Sequence, residues 1–250
     1  MSTLQRHPFP VVAWFDRVVA LSFAFPEEAL RPLIPDGLEM DTYEGQGFLT
    51  VALVWTRHLR PAGFPEALGQ DFFLAGYRVF TRLNDGGRRL RGLRILRSET
   101  DKRRMVTLGN LMTGYRYRHA DVAIKENDGL TRVITTLPDG VQTLDTTFCH
   151  NADDPRLPEG SPFPDWRTAR RFSGPMPFTF SQQGDGSFIV IEGSRETWTP
   201  RPIRVDDWKV GMFDESPLKD FTPRLANAFM VENVAYRWEK GRIVRPGGEP

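Results

Sequence analysis

The chain has 250 residues, of which 40% are hydrophobic and 26% are charged, a composition typical of a globular protein with a substantial core. Its formal net charge of +1 gives no reason, at the level of the whole chain, to expect a nucleic-acid partner. A single cysteine, Cys149, excludes intramolecular disulfides and makes a cytoplasmic location the natural expectation.

Turn sequences divide the chain into short segments, many of them rich in Val, Ile, Phe, Tyr and Thr. In chain order they predict a helix at 26–31, strands within 47–55 and 77–81, a helix at 101–112, a strand at 130–136, a helix at 165–171, and strands at 187–192 and 228–238. Regular strands between turn signals indicate a mostly β (α+β) fold, an antiparallel double-layer sheet or partly closed β-barrel with a few short helices.

The segment 151–164 contains four prolines and few apolar residues, so we predict an exposed loop there. It is the one plausible linker of the chain. Because the β signals continue on both sides of it with similar character, we predict a single domain over residues 1–250.

The motifs of several enzyme classes are absent from the sequence. The four histidines lie far apart and form no HExxH spacing, so we expect no metal site. There is no GxGxxG, no Walker-type GK[ST] and no GxSxG, so we expect neither a cofactor nor a serine nucleophile. No apolar run reaches the roughly 18 residues that a membrane-spanning helix needs, so we expect no membrane partner.

Positive charge is concentrated in the middle of the chain. Only five of the 33 basic residues are lysines, and residues 82–118 carry eleven basic and three acidic side chains, a net +8 against −7 in the remainder. Most of these arginines are expected on solvated strand faces. The functional alternative is a local field that attracts a small anionic substrate, such as a carboxylate. A nucleic-acid surface is less favoured, because no binding motif accompanies the charge.

Lys102 is the one lysine inside this basic block, and Arg103 and Arg104 follow it directly. Neighbouring cations and burial both shift an amine toward its neutral, nucleophilic form. Glu99 and Asp101 act against that shift. Since an arbitrary lysine is most often a solvated surface charge, composition alone leaves both interpretations open.

Three segments resemble a known superfamily. The run ALRPLIPDGLEMD at 29–41 resembles a segment near the start of acetoacetate decarboxylases, and DTYEGQGFL at 41–49 and RVF at 78–80 resemble an uncharacterised branch of the same superfamily. The resemblance covers roughly residues 10–125. It implies a β structure with a pocket lined by inward-facing strand residues, and it puts the family's Schiff-base lysine within 97–105.

The chain departs from the family pattern at this lysine. The proline of the family's Pro-Lys-Lys-like sequence is absent, and the lysine pair reads Lys102-Arg103. An ungapped alignment puts Asp101 opposite the catalytic lysine, whereas a shift of one residue puts Lys102 there, so the register stays open. Membership can therefore imply the fold and its pocket without decarboxylase activity.

The first functional hypothesis is an enzyme that acts on a small keto acid, of decarboxylase, aldolase or dehydratase type. Lys102 would form an imine with the substrate carbonyl, and Glu99 is the nearest candidate acid or base. Four arginines are predicted to bind the substrate or to tune the lysine: Arg78, Arg97, Arg103 and Arg104.

The alternative is a non-catalytic protein that binds a small anionic ligand in the same pocket. The altered lysine motif makes this alternative almost as well supported as the enzyme. A structural or assembly role through exposed strand edges ranks lower, because no feature points to a partner. A homo-oligomer is left open.

Overall fold

The computed structural model describes residues 3–150 and 156–246 of the chain. Its first part contains β1 (Val11–Pro26), α1 (Glu27–Leu30), β2 (Leu38–Met40), β3 (Gln46–Pro61), β4 (Gln70–Asp85), β5 (Arg88–Thr100), α2 (Arg103–Met112), β6 (Tyr117–His119), β7 (Asp121–Asn127), β8 (Leu130–Thr136) and β9 (Gln142–Cys149). Its second part contains α3 (Trp166–Ser173), β10 (Phe178–Gln182), β11 (Phe188–Arg195), β12 (Arg201–Pro202), β13 (Arg204–Val210), β14 (Arg224–Trp238) and β15 (Arg242–Val244). Short 3₁₀ turns occupy Thr3–Arg6, Arg31–Leu33, Glu66–Leu68 and Gly211–Asp214.

The strands form two sheets. The larger sheet runs β12-β14-β1-β3-β4-β5-β10-β11-β15, with β2 on β4 and β6 on β5, and the smaller sheet runs β13-β9-β8-β7. Because β11 also pairs with β14, seven strands of the larger sheet follow one another around a partly closed ring. Nearly all pairings are antiparallel, and β5 pairs in parallel with β10 and β6. The predicted mostly β fold with a partly closed sheet is confirmed.

The three predicted helices are present as α1, α2 and α3, within two or three residues of their expected ends. In the described residues no helix is both long and apolar enough to cross a lipid bilayer. The predicted loop at 151–164 is only partly covered, since 151–155 lie outside the described residues. In its described part Arg156, Glu159, Gly160 and Pro164 are exposed, whereas Phe163 is 5% exposed and stacks on Phe48 with ring centroids 5.1 Å apart.

The long strands bury both of their faces. Successive side chains point to opposite sides of a strand, so one face of β1, β3 and β4 carries large residues such as Phe23, Leu53 and Tyr77. These residues pack with Leu144 and Phe148 of the smaller sheet in one apolar cluster. The opposite face points to the inside of the ring, where residues such as Val18, Val54 and Leu74 line a cavity.

Candidate ligand cavity

A cavity of about 610 Å³ lies inside the ring. Its walls come from β1, β3, β4, β5, β10, β11 and β14, and α2 covers one side. The volume is within the range of small-molecule sites in proteins. Among the described residues that line it there is no Asp, Glu or Lys, and there are four arginines: Arg60, Arg78, Arg104 and Arg195.

Most of the cavity surface is apolar. Val54, Leu74 and Ile95 contribute aliphatic side chains from three neighbouring strands, and Met105 and Trp238 contribute from α2 and β14. Such walls bind the carbon skeleton of a ligand by removing it from water. Orientation then depends on the few polar groups that point into the same space.

Arg78 is positioned by the local structure of β4 and β5. Tyr77 is on the outer face of the ring, so its neighbour Arg78 points inward. The pairing register shifts between Tyr77 and Arg78, and such irregularities turn a side chain away from the regular strand direction. Gly76 leaves the space that the guanidinium occupies, since a Cβ at this position would lie 3.1 Å from both Nε and Nη2 of Arg78.

Arg78 is a partly buried cation that has no acidic partner among the described residues. Its Nε atom is buried and has no hydrogen-bond partner. Burial lowers the pKa of Arg78, and the phenols of Tyr236, Tyr117 and Tyr115 raise it by less. A guanidinium nevertheless stays protonated in proteins. Because an unpaired buried charge is costly, the site favours an anion beside Arg78.

The tyrosines around Arg78 are packed closely against glycines. A Cβ at Gly109 of α2 would overlap the ring of Tyr117, and a Cβ at Gly193 of β11 would overlap the hydroxyl of Tyr236. The side-chain amide of Asn110 donates to the carbonyl of Tyr117 and accepts from its main-chain N–H, both at 2.8 Å. These contacts hold the two rings at the cavity wall.

All three phenols are protonated at neutral pH. Burial raises the pKa of Tyr117 to about 12, while Arg78 acts to lower it. Burial also raises the pKa of Tyr115, whose hydroxyl shares a hydrogen bond with Thr179 Oγ1 at 2.6 Å, and the pKa of Tyr236. Each phenol can therefore act as a hydrogen-bond donor.

His7 contributes the one imidazole of the cavity lining. Its Nδ1 atom is buried without a partner, and its main-chain N–H donates to the carbonyl of Met112 at 2.9 Å. Burial lowers the pKa of His7, and a hydrogen bond with the main chain of Glu239 raises it by less. In the described part of the chain no three His, Cys, Asp or Glu side chains are grouped so that they could hold a metal ion.

Two of the six predicted site residues, Arg78 and Arg104, line the cavity. Lys102 lies at the start of α2 with its side chain 54% exposed, and its Nζ is 3.0 Å from Asp101 Oδ2. It is not among the lining residues, and neither is Arg103, which is exposed. The exposed position of Lys102 agrees with the solvated surface charge, one of the two interpretations that composition left open.

Glu99 and Arg97 lie on the face of β5 that points away from the cavity, whereas Ser98 between them lines it. Glu99 is 1% exposed and accepts hydrogen bonds from Thr143 Oγ1 at 2.7 Å and Thr135 Oγ1 at 3.0 Å of the smaller sheet. It also pairs with Arg118. Arg97 donates to both carboxylate oxygens of Glu215, so neither residue reaches a ligand in the cavity.

The charge of the basic block is partly paired with acids in the fold. Arg82 and Arg91 pair with Asp41, Arg89 with Glu39 and Arg97 with Glu215, all outside the block, and Arg118 pairs with Glu99 inside it. Of the charged residues of this block, Arg104 alone lines the cavity among the residues described. The cations of the cavity come instead from four separate parts of the chain.

Sequence reasoning missed several of the polar residues of the cavity: His7, Tyr117, Arg195, Trp198 and Tyr236. One signal for them is present in the sequence. Gly76 and Gly193 are isolated glycines inside strands, and Gly109 lies inside a helix. A glycine at such positions indicates the close approach of another group, and here each one faces a polar cavity residue.

Known structures with the same fold include acetoacetate decarboxylase from Legionella pneumophila subsp. pneumophila str. Philadelphia 1, with a TM-score of 0.65 and 10% identity over 96% of this chain and 89% of that chain. The enduracididine biosynthesis enzyme MppR complexed with pyruvate has a TM-score of 0.66 and 12% identity over 96% of this chain and 92% of that chain. An acetoacetate decarboxylase-like enzyme from Sphingomonas wittichii RW1 has a TM-score of 0.63 and 12% identity over 94% of this chain and 93% of that chain. At such low sequence identity, these structural matches show that the fold is shared.

The chain therefore shares the fold of acetoacetate decarboxylase and of acetoacetate decarboxylase-like enzymes, as the sequence resemblance predicted. The model of the DUF2071 family, described as an uncharacterized conserved protein, matches residues 13–234, and the chain belongs to this family. No curated protein matches the chain.

Proposed function

We propose that the cavity binds a small organic acid of the keto-acid class and that Arg78 pairs with its carboxylate. The observation that carries this proposal is a buried guanidinium, without an acidic partner, in a cavity whose described lining contains no acid. A bound carboxylate supplies charge-assisted hydrogen bonds that this group lacks in the protein alone. The apolar walls accept the carbon chain.

The phenols favour a ligand with a second oxygen near its carboxylate. Tyr236 keeps its phenolic proton at neutral pH because burial raises its pKa, so its O–H can donate to an acceptor on a ligand. The keto oxygen of a 2-oxo acid is such an acceptor. The complex of MppR with pyruvate, in a protein of the same fold, also supports a keto acid.

The test is isothermal titration calorimetry with 2-oxopentanoate, the probe for a small monocarboxylate with an apolar chain. We expect Arg78→Met to weaken binding at least about tenfold, because a hydrogen bond to a charged group contributes about 1.5–3 kcal/mol. Arg89→Met is the matched control, since Arg89 is exposed, pairs with Glu39 and does not line the cavity. Equal affinity of the wild type and Arg78→Met refutes the proposal.

The second candidate is catalysis through an imine at Lys102. The observation in its favour is that Lys102 directly precedes α2, and Arg104 and Met105 of this helix line the cavity. The amine would first have to leave Asp101, and it would then condense with the keto carbon of a bound 2-oxo acid with loss of water.

Borohydride reduction in the presence of 2-oxopentanoate tests the imine directly. The imine mechanism predicts an irreversible mass increase on the peptide that contains Lys102, and Lys102→Arg must abolish it while it keeps the positive charge. If no adduct forms at Lys102 while calorimetry shows binding, the protein binds the acid without imine chemistry.

Three further properties are predicted from the sequence alone: a single domain, a cytoplasmic location and the possibility of a homo-oligomer. Light scattering coupled to size-exclusion chromatography measures the oligomeric state. A single cooperative unfolding transition is the result that one domain predicts.

A further inference from the structure

A second arginine of the cavity lining, Arg195, also lacks an acidic partner among the described residues. Its guanidinium lies 4.7 Å from the centroid of the Trp198 ring. It donates to the carbonyl of Pro175 at 3.5 Å. All of these partners are neutral, so the positive charge of Arg195 is not compensated.

Trp198 adds an unused donor at the same place. Its indole Nε1 is buried and has no hydrogen-bond partner, although buried tryptophan N–H groups usually have one. Trp198 and Arg195 both line the cavity. A charged donor and a neutral donor are therefore side by side, and both need an acceptor.

The other two cavity arginines are less suited to bind a second anionic group. Arg60 already donates to the carbonyl of Phe64 at 3.0 Å and to that of His58 at 2.9 Å in its own loop. Arg104 is exposed at the start of α2, where water solvates its charge. Arg195 is partly buried against an aromatic ring, where a bound anion gains more.

Arg195 and Arg78 line the same cavity. Arg195 lies opposite Tyr236 in the pairing of β11 with β14, and Tyr236 also lines this cavity. Because both guanidinium groups border one space of about 610 Å³, a ligand inside it can place an anionic group at each of them.

We propose that the natural ligand is a short dicarboxylic keto acid, with one carboxylate on Arg78 and the second on Arg195 and the indole N–H of Trp198. This inference rests on the proposed function and narrows its ligand class. A diacid compensates both cations of the cavity, whereas a monoacid compensates one.

A matched pair of probes tests this: 2-oxopentanoate and 2-oxopentanedioate differ only in a terminal methyl group that is replaced by a carboxylate. Calorimetry at fixed ionic strength should give the diacid at least about tenfold tighter binding to the wild type. Arg195→Met should reduce this preference to about twofold or less, and change the affinity for the monoacid little. Trp198→Phe should reduce the preference by a smaller factor.

Two further variants make the measurement specific. Arg237→Met is the charge control, because Arg237 follows Tyr236 in β14, pairs with Glu239 and does not line the cavity. It should keep the full preference for the diacid. Arg78→Met should weaken the binding of both probes by a similar factor, since it removes the carboxylate partner that they share.

The possible failures are distinguishable. If 2-oxopentanoate binds through Arg78 and the diacid binds no more tightly, the second anionic site is refuted and the proposed function stands. If Arg195→Met weakens both probes equally, Arg195 supports the cavity without binding a carboxylate, and the inference is also refuted. If neither probe binds, the proposed function itself fails.

Discussion

Single glycines lie beneath three of the polar side chains of the cavity. Gly76 faces the guanidinium of Arg78, Gly109 faces the ring of Tyr117, and Gly193 faces the hydroxyl of Tyr236. No larger residue fits without displacing its neighbour. The orientation of the polar groups therefore depends on residues that have no side chain of their own.

Gly76→Ala should weaken the binding of 2-oxopentanoate about three- to tenfold, because the new methyl group would lie 3.1 Å from two nitrogens of Arg78 and push the guanidinium aside. Stability should change by less than about 1 kcal/mol, since the loss of unfolded-state freedom offsets the crowding. Calorimetry and denaturant unfolding measure the two effects. Gly184→Ala is the control, because a Cβ added at Gly184 would have no atom within 4 Å. An unchanged affinity in Gly76→Ala would contradict this role of Gly76.

His7 should make the folded state sensitive to acid. Burial lowers the pKa of His7, so the folded protein favours the neutral imidazole. The stability that results is present above the unfolded-state pKa of about 6.5 and is lost as the pH falls toward the folded-state pKa. Denaturant unfolding between pH 8 and pH 5 should show that the free energy of unfolding declines in the wild type and declines less in His7→Asn. Asparagine is the replacement because it tolerates the positive φ of 53° at this position.

The exposed His58 provides the control for this experiment, since it has a similar positive φ of 52°. His58→Asn should keep the decline of the wild type. Identical pH profiles for all three proteins would show that His7 does not cause the acid sensitivity.

At the level of elements, the side chains of β5 alternate between the cavity on one face and the smaller sheet on the other. Ser98 faces the cavity, whereas Glu99 faces the smaller sheet and is bound there by Thr135, Thr143 and Arg118. Tyr77 of β4 also donates to Glu99, at 3.2 Å. The carboxylate therefore connects the two sheets rather than the protein and a ligand.

Glu99→Gln should reduce the free energy of unfolding by about 1–3 kcal/mol and leave the affinity for 2-oxopentanoate unchanged. The substitution removes the charged partner of Arg118 and one acceptor of the buried hydroxyls. Glu215→Gln is the comparison, because Glu215 is exposed and its pair with Arg97 should contribute less. A loss of affinity without a loss of stability in Glu99→Gln would restore Glu99 as a candidate acid or base.

Part of the fold could be predicted from the sequence because the signals of many elements are local. Turn residues and runs of β-branched and aromatic residues predicted strands within β3, β4, β8, β11 and β14, and proline and apolar spacing predicted α1 and α2. The strands β1, β5, β7, β9 and β13 were not predicted. The closure of the ring could not be predicted, since Gly193–Arg195 of β11 pairs with Tyr236–Trp238 some forty residues later.

The site could be predicted only in part, because charge compensation is not local. Asp41 compensates Arg82 and Arg91, and it lies 41 and 50 residues before them. Part of the basic block of the sequence is thus paired with acids in the fold. Arg78 was found because it belongs to a recognisable strand motif, whereas Arg195 had no such signal.

At the level of the whole molecule, the ring divides the protein into an outer apolar core and an inner cavity. The outer core fills the space between the two sheets, and four arginines line the inner cavity. A chain with a net charge of +1 therefore has a cavity whose described lining carries cations and no acids.

The buried tyrosines should ionise only at high pH, together with cooperative unfolding of the protein. The pKa values of Tyr77, Tyr115, Tyr117 and Tyr236 are all raised by burial, that of Tyr117 to about 12. A phenol with a raised pKa stabilises the fold below the unfolded-state value near 10, and this contribution is lost as the pH rises through the folded-state pKa. Phenolate absorbance should therefore increase together with the loss of circular dichroism, above pH 10. Ionisation of these four tyrosines near pH 10 in the folded protein would contradict their burial.

The pairing of Arg78 with a carboxylate is tested most directly by a crystal structure of the protein with bound 2-oxopentanoate. We expect the ligand inside the ring, with a carboxylate oxygen about 2.7–3.0 Å from a guanidinium nitrogen of Arg78 and the carbon chain against Leu74 and Ile95. A ligand bound outside the ring, or one inside it whose carboxylate points away from Arg78, would contradict this assignment.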